Sequence, residues 1–318
     1  MTEQREPTHD GVAKAAAKIA AILPPTPLLP VEINGAKAWC KAESLQPIGV
    51  FKIRGAWHRL SDLSEEERAR GVVGLSSGNH AQGVAWAAQR LGIAATIVMP
   101  SDAPRVKLDR VREMGAAVVS YDRMSEDRDE IANALCEETG ATLVHAFADP
   151  WVIEGQGSAG IEIAEQLGRQ PSRIVAPCGG GGLTAGLSLA CPGSEIIPVE
   201  PQGWDDVTRS LAAGSIQRVV PDAPSTACDA LQTFATFPLN FEILQRRASP
   251  GVTVSEAEVR AAQRFAFANL QLVLEPGGAA ALAAALAGKV PLDGETVIVL
   301  SGGNTDAESF AAAITSYD

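Results

Sequence analysis

Short apolar runs alternate along the chain with longer segments whose apolar residues recur at helical spacing. GVVGLSS (71–77) is one such run; AQGVAWAAQRLG follows with the apolar spacing of a helix, and AATIVMP is the next run. SDAPRVKLDRVREMG repeats the unit as a helix with Ser101 or Asp102 as its cap, leading to a strand at Val118 and Val119. DRDEIANALCEETG then predicts a helix and ATLVHAF a strand. Further on, SRIVAPCGGGG, SEIIPVEP and ETVIVLSGG are β-branched runs, each closed by Gly, Pro or Ser, and PGGAAALAAALAGKV predicts a buried helix too short to span a bilayer. Strands separated by helices of this length predict an α/β fold. At 318 residues the expectation is two domains, each an open, mostly parallel sheet with helices on both faces.

Composition narrows the partners. With 46% hydrophobic and 20% charged residues the chain has the make-up of a globular protein, and its net charge of -12 argues against nucleic acid or an anionic membrane as a partner. Cys40, Cys136, Cys178, Cys191 and Cys228 are scattered, without a Cys-x-x-Cys pair, which suits reduced thiols in the cytoplasm. The opening MTEQREPTHD lacks the apolar core of a secretory signal.

Ligands of open parallel sheets bind beyond the carboxyl ends of the strands, and three such ends here carry small, donor-rich loops: SSGNHAQG, CGGGGLTAG and SGGN. Gly179, Gly180, Gly181 and Gly182 expose a row of backbone N–H groups just before a helix, an arrangement suited to a phosphate monoester; a tight turn alone needs fewer glycines. In SSGNHAQG, residues Ser76, Ser77, Gly78, Asn79 and His80 either cap a helix or hold a substrate carboxylate. His80 is either an acid–base group or a hydrogen-bonding scaffold. Lys52, between Phe51 and Ile53, has two readings as well. Its stem covers apolar surface with the nitrogen in water, or its amine loses a proton in a dry pocket and forms a Schiff base with an aldehyde cofactor.

Taken in order, ESLQPIGVFKIRGA, SSGNHAQG, PCGGGGLTAG and SGGN resemble the serine/threonine dehydratase family of pyridoxal-phosphate enzymes, which has the tryptophan-synthase-β-like fold and includes serine racemase and 3-hydroxyaspartate dehydratase. The resemblance runs from about Ala13 to Phe310. It implies pyridoxal 5'-phosphate as cofactor, with Lys52 as the Schiff-base lysine and Phe51 against the ring. It further implies Asn79 at the ring hydroxyl, Gly179 to Leu183 as the phosphate cradle and Ser301 at the pyridine nitrogen. The implied reaction is β-elimination of water from a small β-hydroxy amino acid, yielding a 2-oxo acid and ammonia, with freed Lys52 as the base. Ser77, expected across the cofactor from Lys52, would move a proton on the second face if racemisation accompanies elimination.

The family also has a cation site, here Glu200, the carbonyl of Trp204, and Asp206, which suits Mg²⁺ or Ca²⁺; the alternative is two acids in a solvated turn. Departures from the family pattern lie near the expected pocket: Ile48 and Val50 replace hydroxyl residues, HAFAD (145–149) stands for HPFDD, and ACDA (227–230) for ADG. They leave threonine or serine as the first substrate reading and 3-hydroxyaspartate as the second; a cofactor-binding protein without turnover is the reading of a different class. The expected division is a large cofactor domain of residues 1–47 and 147–318 with a smaller substrate-loop domain of 48–146, core 72–146. A homodimer is expected, with no room after SGGN for a regulatory domain.

Overall fold

The computed structural model describes residues 5–76, 78–103, 105–122 and 124–315. Among these residues ten strands form two sheets. One has six strands: β1 (Leu28–Ile33), β2 (Ala36–Ala42), β10 (Thr296–Leu300), β7 (Arg173–Pro177), β8 (Glu195–Pro201) and β9 (Val252–Val254), in that spatial order. Of these six only β1, at the edge, runs antiparallel; Leu28 pairs with Lys41 and Ile33 with Ala36. The other sheet is wholly parallel, in the order β5 (Ala117–Tyr121), β4 (Ala95–Pro100), β3 (Val72–Leu75), β6 (Thr142–Val144).

The central strands are apolar on both faces because helices cover both. Every residue of β3 and of β10 is buried. On the six-stranded sheet, the alanine-rich helix Pro276–Leu286 packs with one cluster of core residues, and helices Pro150–Leu167 and Gly182–Ala190 with another. Alanine suits the first because a small side chain lets the helix sit close to the strands. Helices Lys52–Ser61 and Asn79–Leu91 belong to the core beside the smaller sheet.

Helix Pro150–Leu167 joins the two regions. A side chain at Gly155 would lie 2.7 Å from the carbonyl of Arg54, so glycine is what lets this helix touch helix Lys52–Ser61 backbone to backbone. Beside that contact Arg54 is fully buried, donating to both carboxylate oxygens of Glu43 and to both of Glu162. Lys41, buried on β2, donates to Glu162 as well. Four charges close together satisfy one another here and fix the start of the helix that carries Lys52.

Candidate active site

The carboxyl ends of the two sheets meet. β3 runs into the asparagine loop and β10 into Ser301 and Gly302, while the chain at Val50 and Phe51 crosses between them. Val50 bridges Gly302, and the Phe51 N–H donates to the Ser301 carbonyl at 3.1 Å. Two motifs far apart in sequence, VFKIRGA and SGGN, are thereby held side by side.

Lys52 opens its helix and is half-buried. Its Nζ donates to the carbonyl of Ala146 at 2.8 Å and lies 5.2 Å from the centroid of the Phe51 ring. Burial lowers its pKa to about 8, the carboxylate of Glu275 acting against the shift.

The glycine loop leaves β7 with the Cys178 N–H donating to the Val199 carbonyl, turns through Gly181 at φ 88°, and enters the helix at Gly182. The positive φ calls for glycine at 181. At Gly180 a side chain would collide with the Phe147 ring, so that glycine is required by close approach. Among the described residues nothing accepts from the N–H groups of Gly179 and Gly180, which stand beside the positive end of the helix dipole. Leu183 continues the first turn and is buried. Phe147 belongs to HAFAD; its ring packs edge-on against His145 and Phe237, its carbonyl accepts from Asn240, and the carbonyl just before it is the one Lys52 holds. The segment 145–147 therefore lies between the lysine and the glycine loop.

The helix after β3 has Gly78 at its N-cap and no side-chain cap; the Ser76 hydroxyl accepts from Gly78 N–H instead. Asn79 is drawn elsewhere, its Nδ2 donating to Glu275 Oε1 at 2.7 Å and its Oδ1 accepting from Asn304 Nδ2 at 2.9 Å. His80 is buried, with Nε2 2.8 Å from the Val144 carbonyl, and burial depresses it to about 3. It is neutral and ties helix to strand, the scaffold reading. Ser77 lies outside the described residues.

Glu200 and Asp206 are both fully buried, so they do not form a solvated turn. Glu200 accepts from the N–H groups of Val207 and Thr208 and from the Thr208 hydroxyl. Burial, then Asp206, pushes Glu200 up to about 8. Asp206 is pushed up to about 7 by burial; the backbone N–H groups of Thr236 and of Asp206 itself oppose the rise from nearby, but none reaches either carboxylate oxygen with full hydrogen-bond geometry. Trp204, between them, is buried with its indole N–H on the Pro224 carbonyl. Among the described residues no three His, Cys, Asp or Glu side chains converge as a metal centre.

Two groups at the site were not singled out from sequence, Glu275 and Lys107, and a third, Asp229, lies in the ACDA segment, where it was given no role. Glu275 is buried at the start of helix Pro276–Leu286, its backbone N–H on the Gly302 carbonyl, and is pushed up to about 7 by burial and by Asp229. Lys107, on helix Arg105–Glu113, forms an ion pair with Asp229 at 2.5 Å, and its Nζ would lie 3.4 Å from a side-chain carbon at Gly78. These partners are separated by more than a hundred residues and follow no local pattern.

An amine depressed by burial, an unused N–H pair at a helix start and a buried hydroxyl at Ser301 fit a phosphorylated aldehyde cofactor. The family model described as pyridoxal-phosphate dependent enzyme matches residues 19–302. The chain is 40% identical to an L-threo-3-hydroxyaspartate ammonia-lyase of a Pseudomonas species, over 96% of this chain and 98% of that one. Among solved structures it resembles the T.th. threonine deaminase, at 41% identity and a TM-score of 0.87 over 94% of this chain and 99% of the other. Maize serine racemase gives a TM-score of 0.91 at 33% identity, over 98% and 97%.

Proposed function

The chain belongs to the pyridoxal-phosphate-dependent enzyme family, and we propose that it eliminates water from a small L-β-hydroxy amino acid, giving a 2-oxo acid and ammonia. The observation that carries this reading is the Lys52 amine, set at about 8 in an apolar corner beside the glycine loop. Pyridoxal phosphate supplies an electron sink for bonds at the substrate's Cα. Lys52 would anchor it and would serve as the base at the substrate's Cα; a pKa near 8 lets one group act as nucleophile and base. Gly179 to Leu183 would hold the phosphate with N–H groups, and Phe51 would lie against the ring. Asn79 would meet the ring oxygen, and the uncharged Ser301 hydroxyl would face the pyridine nitrogen. A hydroxyl there draws less charge into the ring than a charged partner would, which favours prompt loss of the β-hydroxyl over transamination. The backbone of Ser76, Gly78, Asn79 and His80 would receive the α-carboxylate; Ser77, the expected group on the second face, lies outside the described residues. In this reading residues 48–146 form the substrate-loop domain and the rest the cofactor domain.

Glu200, the Trp204 carbonyl and Asp206 would hold a Mg²⁺ or Ca²⁺ ion. The two unpartnered oxygens of Asp206 are what such an ion would satisfy, with water completing the shell.

L-threonine or L-serine is the first substrate of this reading. Lys107 favours 3-hydroxyaspartate as the second, because a cation that already holds a carboxylate stands beside Gly78 of the asparagine loop. Assaying ammonia and 2-oxo acid from L-serine, L-threonine, D-serine and the 3-hydroxyaspartate isomers tests both. Turnover of L-threonine or L-serine is expected. A preference of tenfold or more for 3-hydroxyaspartate, about 1.4 kcal/mol in the transition state, moves the assignment to the dicarboxylate. Activity with none of them, in protein reconstituted with pyridoxal phosphate, overturns elimination.

A further inference from the structure

Four side chains form a hydrogen-bonded row across the site. Arg110 Nη1 donates to Asn304 Oδ1 at 3.3 Å, Asn304 Nδ2 donates to Asn79 Oδ1 at 2.9 Å, and Asn79 Nδ2 donates to Glu275 Oε1 at 2.7 Å. Arg110 is on helix Arg105–Glu113, Asn79 follows β3, and Asn304 and Glu275 belong to the segments around β10 and helix Pro276–Leu286. An amide can face either way, since its oxygen and nitrogen have nearly the same shape. One end of this row cannot: the Arg110 guanidinium only donates, so Asn304 must accept from it with Oδ1, and the direction passes through Asn79 to Glu275, whose carboxylate accepts. With the donor fixed at the Arg110 end, both amides have one consistent orientation.

We propose that Glu275 and Arg110, acting through Asn304, set the direction of the Asn79 amide so that the N–H left over is offered to the ring oxygen of the cofactor. This rests on the proposed placing of Asn79 at that oxygen. An amide has two N–H groups; Glu275 takes one, and among the described residues the other has no acceptor. Turned over, the amide would present its carbonyl to an oxygen that carries negative charge, and the ring oxygen would keep its own proton instead. Glu275 and Arg110 are positioning residues, which act through Asn79 and touch no reacting atom. The site is built to hold Asn304 in place as well. Gly49, at φ 74°, leaves room where a side chain would lie 2.6 Å from Asn304 Oδ1.

The direction is readable in colour, because a proton on the ring oxygen moves the absorption of the lysine-bound cofactor from the visible into the near ultraviolet. Glu275→Ala removes the acceptor end. Asn304→Asp, independently, places an acceptor-only group against Asn79 Oδ1 and opposes the native direction. In both variants the visible band should lose intensity to the near-ultraviolet band, and the cofactor should dissociate about tenfold more readily, the factor for about 1.4 kcal/mol. Glu275→Gln, which can still accept, should fall between these variants and the wild type. Asn79→Ala separates the two levels of the argument. If it leaves the spectrum unchanged, the placing of Asn79 at the ring oxygen fails. If it changes the spectrum while Glu275→Ala and Asn304→Asp keep the wild-type band ratio and affinity, the row does not direct the amide and the inference is overturned. Thermal melts accompany each variant, and a loss of stability with an unchanged band ratio counts against the inference too.

Discussion

At Lys52 two effects of opposite sign meet. Desolvation disfavours the ammonium, the Glu275 carboxylate favours it, and desolvation prevails, leaving the amine at about 8. Loading of the cofactor onto the apo-protein requires the neutral amine, so its rate should rise with pH through a midpoint near 8, below which the ammonium predominates. Stopped-flow recovery of the visible band across a pH series measures this. A midpoint near the ordinary lysine value of 10.5 would show an amine in water. His80, held near 3, contributes no charge change at neutral pH, so replacing it should not remove a limb of the profile. Lys52, the glycine run and Asn79 were legible in the sequence because each sits in a short motif. Glu275 was not, and Asn304, though it closes the SGGN motif, gave no sign of its partner. They lie 196 and 225 residues from the Asn79 they orient, and only the folded chain brings them there.

Among the elements, the central strands and most helices were legible because buried parallel strands read as unbroken apolar runs and their helices keep a clear period. β2, AKAWCKA, has the composition of a helix; its pairing with β10 from Trp39 to Ala42 decides otherwise. β9 has three residues and takes its identity from β8. β6 stops at Val144, before the expected ATLVHAF run ends, because the His145 ring accepts the N–H groups of Phe147 and Ala148 and turns the chain. Helix Lys52–Ser61 depends on Arg54, which no pattern marked as buried. Arg54→Leu would strip buried Glu43 of its ion-pair partner and leave Glu162 with Lys41 alone, and should cost about 3–5 kcal/mol in denaturant unfolding. A loss below about 1 kcal/mol would mean that the two acids are held in place without it.

Over the whole molecule, the proposed site lies where the two sheets bring the carboxyl ends of their parallel strands together, and each sheet alone carries only part of it. Lysine and glycine loop are joined through residues 145–147, and the asparagine loop through Glu275 and Asn304. The glycine loop, proposed as the phosphate cradle, follows β7, and Glu200 lies near the end of the neighbouring β8 with Asp206 just beyond it, so a cation held by this pair, as proposed, would stabilise both strand ends. Chelation should lower the melting temperature and activity together, and Mg²⁺ or Ca²⁺ should restore both, by about 1.4 kcal/mol for each tenfold rise in free metal above the dissociation constant. Asp206→Ala should abolish the response. Identical melts with chelator and with metal would show that the pair is held without an ion. The central claim is that Lys52 carries the cofactor. Borohydride reduction of the yellow protein, followed by tryptic digestion and peptide mass analysis, tests it directly. The account predicts a pyridoxyl phosphate adduct on Lys52 alone and loss of cleavage after that residue. An adduct on another lysine, or none on protein that had been reconstituted, would contradict it.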